Sequence, residues 1–187
     1  GFRMTGVERD TKSASLQGEP SQVFEGSAEA LPEQLPRSSF DAVMFKQVLE
    51  HLVDPVAALR NAAQLLKPGG AMFVEVPNNE SAIARQSGLS WEHMDVPRHI
   101  NFFTQHTLQA TATAAGLAVE SLFFNEYCRY FADAYIATEQ RIHDHLGGAQ
   151  PAVRHSAARS WRLLLKTAWA PAHVKYDCVG VTAVKPG

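Results

Sequence analysis

Apolar positions along the chain fall into two rhythms. Residues 40–45 (FDAVMF) carry Ala42, Val43, Met44 and Phe45 without a polar break, as expected of a strand buried on both faces, and AMFVEV at 71–76 repeats the pattern. Between them the period changes. Asp54 and Pro55 supply a helix N-cap and a first-turn proline, and Val56, Leu59, Ala63 and Leu66 follow at spacings of three and four. Lys67, Pro68, Gly69 and Gly70 then stop the helix. Strand, helix, glycine turn and strand make a βαβ unit, so the sequence predicts an α/β fold with parallel strands.

The same reading extends to both ends. A strand of about five residues ends at the acids Glu8 and Asp10, residues 11–21 carry a weak helical signal, and 23–26 form a second short strand. After a loop over 77–103, Thr104 caps a helix that presents Leu108, Ala112 and Ala115 and stops at Gly116. A strand follows at 117–124, then an amphipathic helix over 127–146, a break at 147–152, a helix over 160–169 and a terminal strand at 178–184. In that last helix Trp161, Leu164, Leu165 and Trp169 are expected to cover the sheet edge or a cavity, with a membrane or partner surface as the lesser alternative. One domain over 1–187 results: a core over 1–124, a helical cap or insertion over 125–172, and a terminal strand within 173–187.

Composition narrows the class. With 187 residues and 45% apolar content the chain can bury one core. A net charge of -2 gives no broad positive field for nucleic acid, no run is long enough to span a bilayer, and Cys128 and Cys178 read as buried thiols. The expected compartment is the cytoplasm.

In an open parallel sheet, ligands sit beyond the C-terminal ends of the strands. Glu8 stands there and can accept both hydroxyls of a ribose, or be a solvated acid; Glu29 follows the second strand and could place backbone groups near a purine edge. Lys46, Gln47, Glu50 and His51 follow the third strand and would line the cleft. The densest polar and aromatic cluster is 91–104, with Trp91, His93, Asp95, Arg98, His99 and Phe102. Arg98 pinned by Asp95 could face a substrate carboxylate or phosphate, or the group could be a structural network. His93 and His99 lie six apart with a proline between them, unlike an HExxH helix, so no metal is expected. GxGxxG, GxxxxGK[ST] and GxSxG are all absent, which weakens nicotinamide, P-loop and serine-hydrolase readings.

TGVERD, FEGSAEALP, SFDAVMFKQVLEHLVDPVAAL and LLKPGGAMFVEVPN, in that order, resemble the class I S-adenosylmethionine-dependent methyltransferases. WEHMDVPRHINFFTQHTLQATATAAGLAVESL is similar to the branch containing ubiquinone-type and sugar or polysaccharide-associated small-molecule methyltransferases. The resemblance implies a Rossmann-like sheet and SN2 methyl transfer to a small-molecule acceptor, with S-adenosylhomocysteine as product. It implies Glu8 at the ribose, Ala28 and Glu29 beside the adenine, and Lys46 and Gln47 near the methionine part. It places Trp91, Asp95 and Arg98 on the substrate side, with His51, His93 and His99 as base candidates if the acceptor must lose a proton. The family's opening strand and [DE]xGxGxG loop are not found in the sequence, so the expected sheet is incomplete. Three explanations stay open: an N-terminally truncated chain with impaired activity, a shorter sheet in which the first and third strands pair directly, or a partner chain that supplies the missing part. An inactive methyltransferase-like remnant or interaction domain and a nicotinamide-dependent oxidoreductase are the alternative functions, and apolar surface left by a missing strand would favour a homodimer.

Overall fold

The computed structural model describes residues 3–10, 22–127, 129–146 and 156–187; the readings on 11–21, Cys128 and the break at 147–152 lie outside them. Among the described residues two sheets form. β1 (Thr5–Glu8) pairs in parallel with β2 (Gln22–Glu25), while β3 (Phe40–Lys46), β4 (Leu66–Pro77), β6 (Cys178–Val184) and β5 (Ala118–Asn125) hydrogen-bond in that spatial order. The βαβ expectation holds: α1 (Pro55–Leu65) joins β3 to a parallel β4. The terminal strand β6 runs antiparallel to both neighbours, which makes the larger sheet mixed rather than wholly parallel.

Local chemistry accounts for the ends of the helices. The Asp54 carboxylate accepts from the Ala57 N–H at 2.8 Å, and Pro55 occupies the first turn. Thr104 and Thr107 form a reciprocal capping box at the start of α3 (Gln105–Ala114), and Gly116, at φ +86°, lets the chain turn out of it. The core lies on one face of the sheet. Met72, Val74 and Val76 of β4 and Val179, Val181 and Ala183 of β6 alternate onto that face and meet Leu59 and Ala62 of α1 and Leu108 and Ala112 of α3.

Four expectations are corrected. β3 is not buried on both faces: Met44 is 70% exposed, because this strand pairs only with β4 and has an open edge among the described residues. β1 and β3 do not pair, so the shorter-sheet arrangement is not the one adopted by the described residues. The segment 77–103 is not a plain loop; Ser81 caps a short helix α2 (Ala82–Ser87), and single 3-10 turns follow at Gly88–Ser90 and Glu92–Met94. The amphipathic helix expected at 127–146 is split into a 3-10 turn at Arg129–Phe131 and α4 (Asp133–His145), with Ala132 in extended conformation between them.

The stripe on α5 (Ala157–Thr167) also faces the other way. Trp161 and Leu165 are exposed, as is Trp169 beyond the helix end, while Ser160, Leu163 and Thr167, at spacings of three and four, form the buried side. Leu163 joins Ile83, Tyr130 and Tyr135 in a second small apolar cluster that ties α2, α4 and α5 together. A short α6 (Ala172–Lys175) then leads into β6. No helix among the described residues is long and apolar enough to cross a membrane.

Candidate active-site cleft

Strand β3 ends in a sharp turn. Gln47 adopts φ +54°, uncommon for a residue with a Cβ, and the chain enters a 3-10 turn at Leu49–His51. Leu49 and Leu52 point into the core, which fixes Glu50 and His51 toward the opposite side. The backbone N–H groups of Ile100 and Asn101 both donate to the Glu50 carbonyl, at 2.9 and 3.1 Å, and the Asn101 side-chain amide donates to the Leu52 carbonyl at 2.6 Å. Two segments some fifty residues apart in sequence are thus joined, and His99 comes to rest beside Glu50 and His51.

The two imidazoles are oriented by backbone. His51 Nδ1 lies 3.0 Å from the Arg98 carbonyl, and His99 Nδ1 lies 2.7 Å from the His93 carbonyl. A carbonyl can only accept, so Nδ1 carries the proton in both rings and Nε2 presents a lone pair in the neutral forms. Both Nε2 atoms turn toward Glu50 Oε1, at 3.9 Å from His51 and 4.0 Å from His99. The rings meet edge to face with centroids 4.6 Å apart, and His93 stacks on His99 at 6.3 Å. Glu50 is 1% exposed and neither carboxylate oxygen accepts a hydrogen bond. Burial pushes its carboxyl above the usual range, and burial likewise holds His99 below the ordinary imidazole value.

These groups form one wall of a cleft of about 470 Å³ that also takes in Gln47, Asp95, Arg98 and, from the helical cap, Thr138 and Arg141. Arg98 pairs with Asp95 as expected, with its side chain 75% exposed at the rim. Trp91 lines no part of the cleft: it is 1% exposed and donates from Nε1 to Asp177 at 3.1 Å, so it supports the wall from behind. Asp177 also accepts from the Ser81 hydroxyl at 3.0 Å and lies 3.8 Å from His93 Nε2. Thr138, Arg141 and Asp177 were not legible as site residues, since only the folded cap and terminal strand bring them here.

The expected cofactor-side residues sit at the strand ends. Glu8 closes β1, exposed, with Oε1 accepting from the Arg9 N–H at 2.8 Å. Glu29 lies beyond β2, where its carboxylate accepts from the Asp54 N–H at 2.9 Å and its carbonyl from the Asn61 side chain at 3.1 Å. Ala28 packs against the main core. Lys46 reaches Glu75 at 3.7 Å, and the Gln47 amide donates to Cys178 Sγ at 3.4 Å. The loops after β1, β2 and β3 therefore meet at one end of the molecule, next to the histidine-lined cleft.

Comparison with known proteins fits this architecture. The model of a family described as a methyltransferase domain matches residues 1–122. The ubiquinone biosynthesis O-methyltransferase of Paracidovorax citrulli is 37% identical over 89 residues, 43% of this chain and 37% of that protein. Its counterpart from Idiomarina loihiensis is 33% identical over 106 residues, 52% of this chain and 43% of that protein. The match thus spans about two fifths of the length of these curated relatives. A SAM-dependent methyltransferase from Archaeoglobus fulgidus superposes with a TM-score of 0.61 at 18% identity, covering 97% of this chain and 75% of that one, a likeness of fold.

Proposed function

The chain belongs to the methyltransferase-domain family, and on that premise we propose that it serves S-adenosylmethionine-dependent methyl transfer to a small-molecule acceptor by direct SN2 displacement. The observation that carries this reading is the cleft itself, in which three imidazoles and an ion-paired arginine converge next to the strand ends.

The residues present suit the adenosine half of the cofactor. Glu8 offers an exposed carboxylate of the chemistry that accepts ribose hydroxyls, with Ala28 and the Glu29 segment on the adenine side and Lys46 and Gln47 toward the methionine part. Glu29 acts through position, since its carboxylate holds the Asp54 N–H. When bound, the cofactor supplies a methyl group on a sulfonium whose thioether leaves without a general acid. The sequence holds no [DE]xGxGxG cradle for the methionine part, so weak cofactor binding and reduced turnover are expected of this chain alone.

The chain's own task is alignment of the acceptor and acceptance of its proton. His51, His93 and His99 are the candidate bases. His99, kept neutral by burial, has its Nε2 lone pair available. Arg98 at the rim suits an acceptor that carries a carboxylate or phosphate.

The test is transfer of labelled methyl from S-adenosylmethionine to a panel of hydroxyl, amine and carbon-acid small molecules. Label in an acceptor supports the reading. Cofactor binding with no transfer to any class would instead identify a catalytically idle domain that keeps the fold.

A further inference from the structure

Glu50 poses a physical problem that the methyl-transfer reading leaves unanswered. A carboxylate that is 1% exposed with two oxygens lacking hydrogen-bond partners costs about 1–3 kcal/mol or more per orphaned group unless something else meets it. What faces it is a pair of imidazole Nε2 atoms, both turned the same way because each Nδ1 proton is held by a backbone carbonyl. Locking Nδ1–H in this manner is how proteins orient histidines that ligate metals through Nε2.

We propose that Glu50, His51 and His99 bind a divalent transition-metal ion of the zinc type, with an open coordination position facing the cleft. One ligand atom from each of the three residues lies within 4.8 Å of the others. Bonds of about 2.1 Å to a tetrahedral ion need donors roughly 3.4 Å apart, so the contacts of 3.9 and 4.0 Å to Glu50 close by about half an ångström. Two nitrogens and one carboxylate suit zinc, iron or cobalt rather than magnesium, which prefers an oxygen shell. A three-ligand set with a fourth position open to a cavity is the arrangement of catalytic rather than structural zinc.

The site departs from the sequence expectation of no metal because the donors are not the spaced pair His93 and His99. They are Glu50 and His51, adjacent on one 3-10 turn, and His99, brought to them by the Ile100 and Asn101 hydrogen bonds. On the methyl-transfer reading, an acceptor oxygen would complete the coordination sphere and His93 would remain as the nearby base; the metal site itself does not depend on that reading.

The experiment is calorimetric titration of zinc into the chelator-treated 187-residue chain, without cofactor, followed by cobalt substitution monitored by visible absorption. The expected result is one ion per chain and a cobalt spectrum lacking a thiolate charge-transfer band. Glu50→Gln and His51→Ala should each weaken zinc binding at least about tenfold; His51 is partly exposed, so its variant stays folded if the core substitution does not. A second grouping, His93, Glu126 and Cys178, provides the control. A thiolate band, or binding lost in Cys178→Ser and retained in the Glu50 and His51 variants, would move the ion there and overturn the proposal. Absence of one-to-one binding by a chain whose circular dichroism shows it folded would also overturn it. Because no cofactor is present, neither result bears on the methyl-transfer reading.

Discussion

The Glu29 carboxylate accepts a hydrogen bond from the backbone N–H of Asp54 at 2.9 Å, and this contact ties the loop after β2 to the N-terminus of α1. It joins the two-stranded sheet to the larger one at the end where the cleft opens. The Asn61 bond to the Glu29 carbonyl reinforces it from within the same helix.

Removing this joint should loosen one sheet from the other. Glu29→Ala is expected to cost about 1 kcal/mol and Asp54→Ala, which deletes the helix cap, about 0.5–2 kcal/mol. The two should couple, because the Asp54 loop is held by both. Urea midpoints of the single and double variants measure this; strict additivity would contradict the joint.

Gly180 leaves no room for a side chain. A Cβ there would lie 2.1 Å from the Phe123 ring, whose residue pairs with Gly180 across β5 and β6. Gly180→Ala should destabilise by about 1–3 kcal/mol, and Phe123→Ala in the same chain should relieve part of that loss. Thermal melting of the pair checks it.

Asp177 accepts from both Ser81 and Trp91 while 2% exposed, so it supports the cleft wall from behind. Asp177→Ala should cost about 2–5 kcal/mol by leaving both donors without this acceptor. A shift in Trp91 fluorescence at low denaturant would report the local change.

Glu50 governs a pH dependence in chelator-treated protein. Its carboxyl is raised above 4.5 by burial, so the folded state binds a proton there more readily than the unfolded state. Stability from this group is fully present below pH 4.5 and declines as pH rises through the higher folded value. Glu50→Gln should flatten that decline and melt higher than the parent at neutral pH, while matching it in acid. Equal melting temperatures at neutral pH would contradict the buried, unpartnered carboxylate.

Much of this was legible in residue order. Asp54, Pro55 and the spacing through Leu65 specify α1 by local chemistry alone, and Thr104 and Gly116 bracket α3 equally well. The strand β3 was harder, because an unbroken apolar run reports suitability for burial and not the neighbours actually present; Met44 is exposed since β3 has one partner. On α5 the aromatic residues drew the eye to the wrong face, whereas the buried side is marked only by Ser160, Leu163 and Thr167. The site was half legible. The histidines and Glu50 stand out as polar groups after a strand, but their convergence depends on the Glu50 carbonyl receiving two N–H groups from residues 100 and 101, a long-range backbone contact that no spacing encodes.

The central claim, a methyltransferase cleft whose cofactor side is anchored at Glu8, is tested most directly by calorimetric titration of S-adenosylhomocysteine into this chain and its Glu8→Ala variant. The account predicts saturable one-to-one binding that weakens at least about tenfold in the variant, the loss of charge-assisted hydrogen bonds to a diol. Equal affinity in the two proteins would contradict the placement of Glu8, and no heat with either would contradict cofactor binding by this chain.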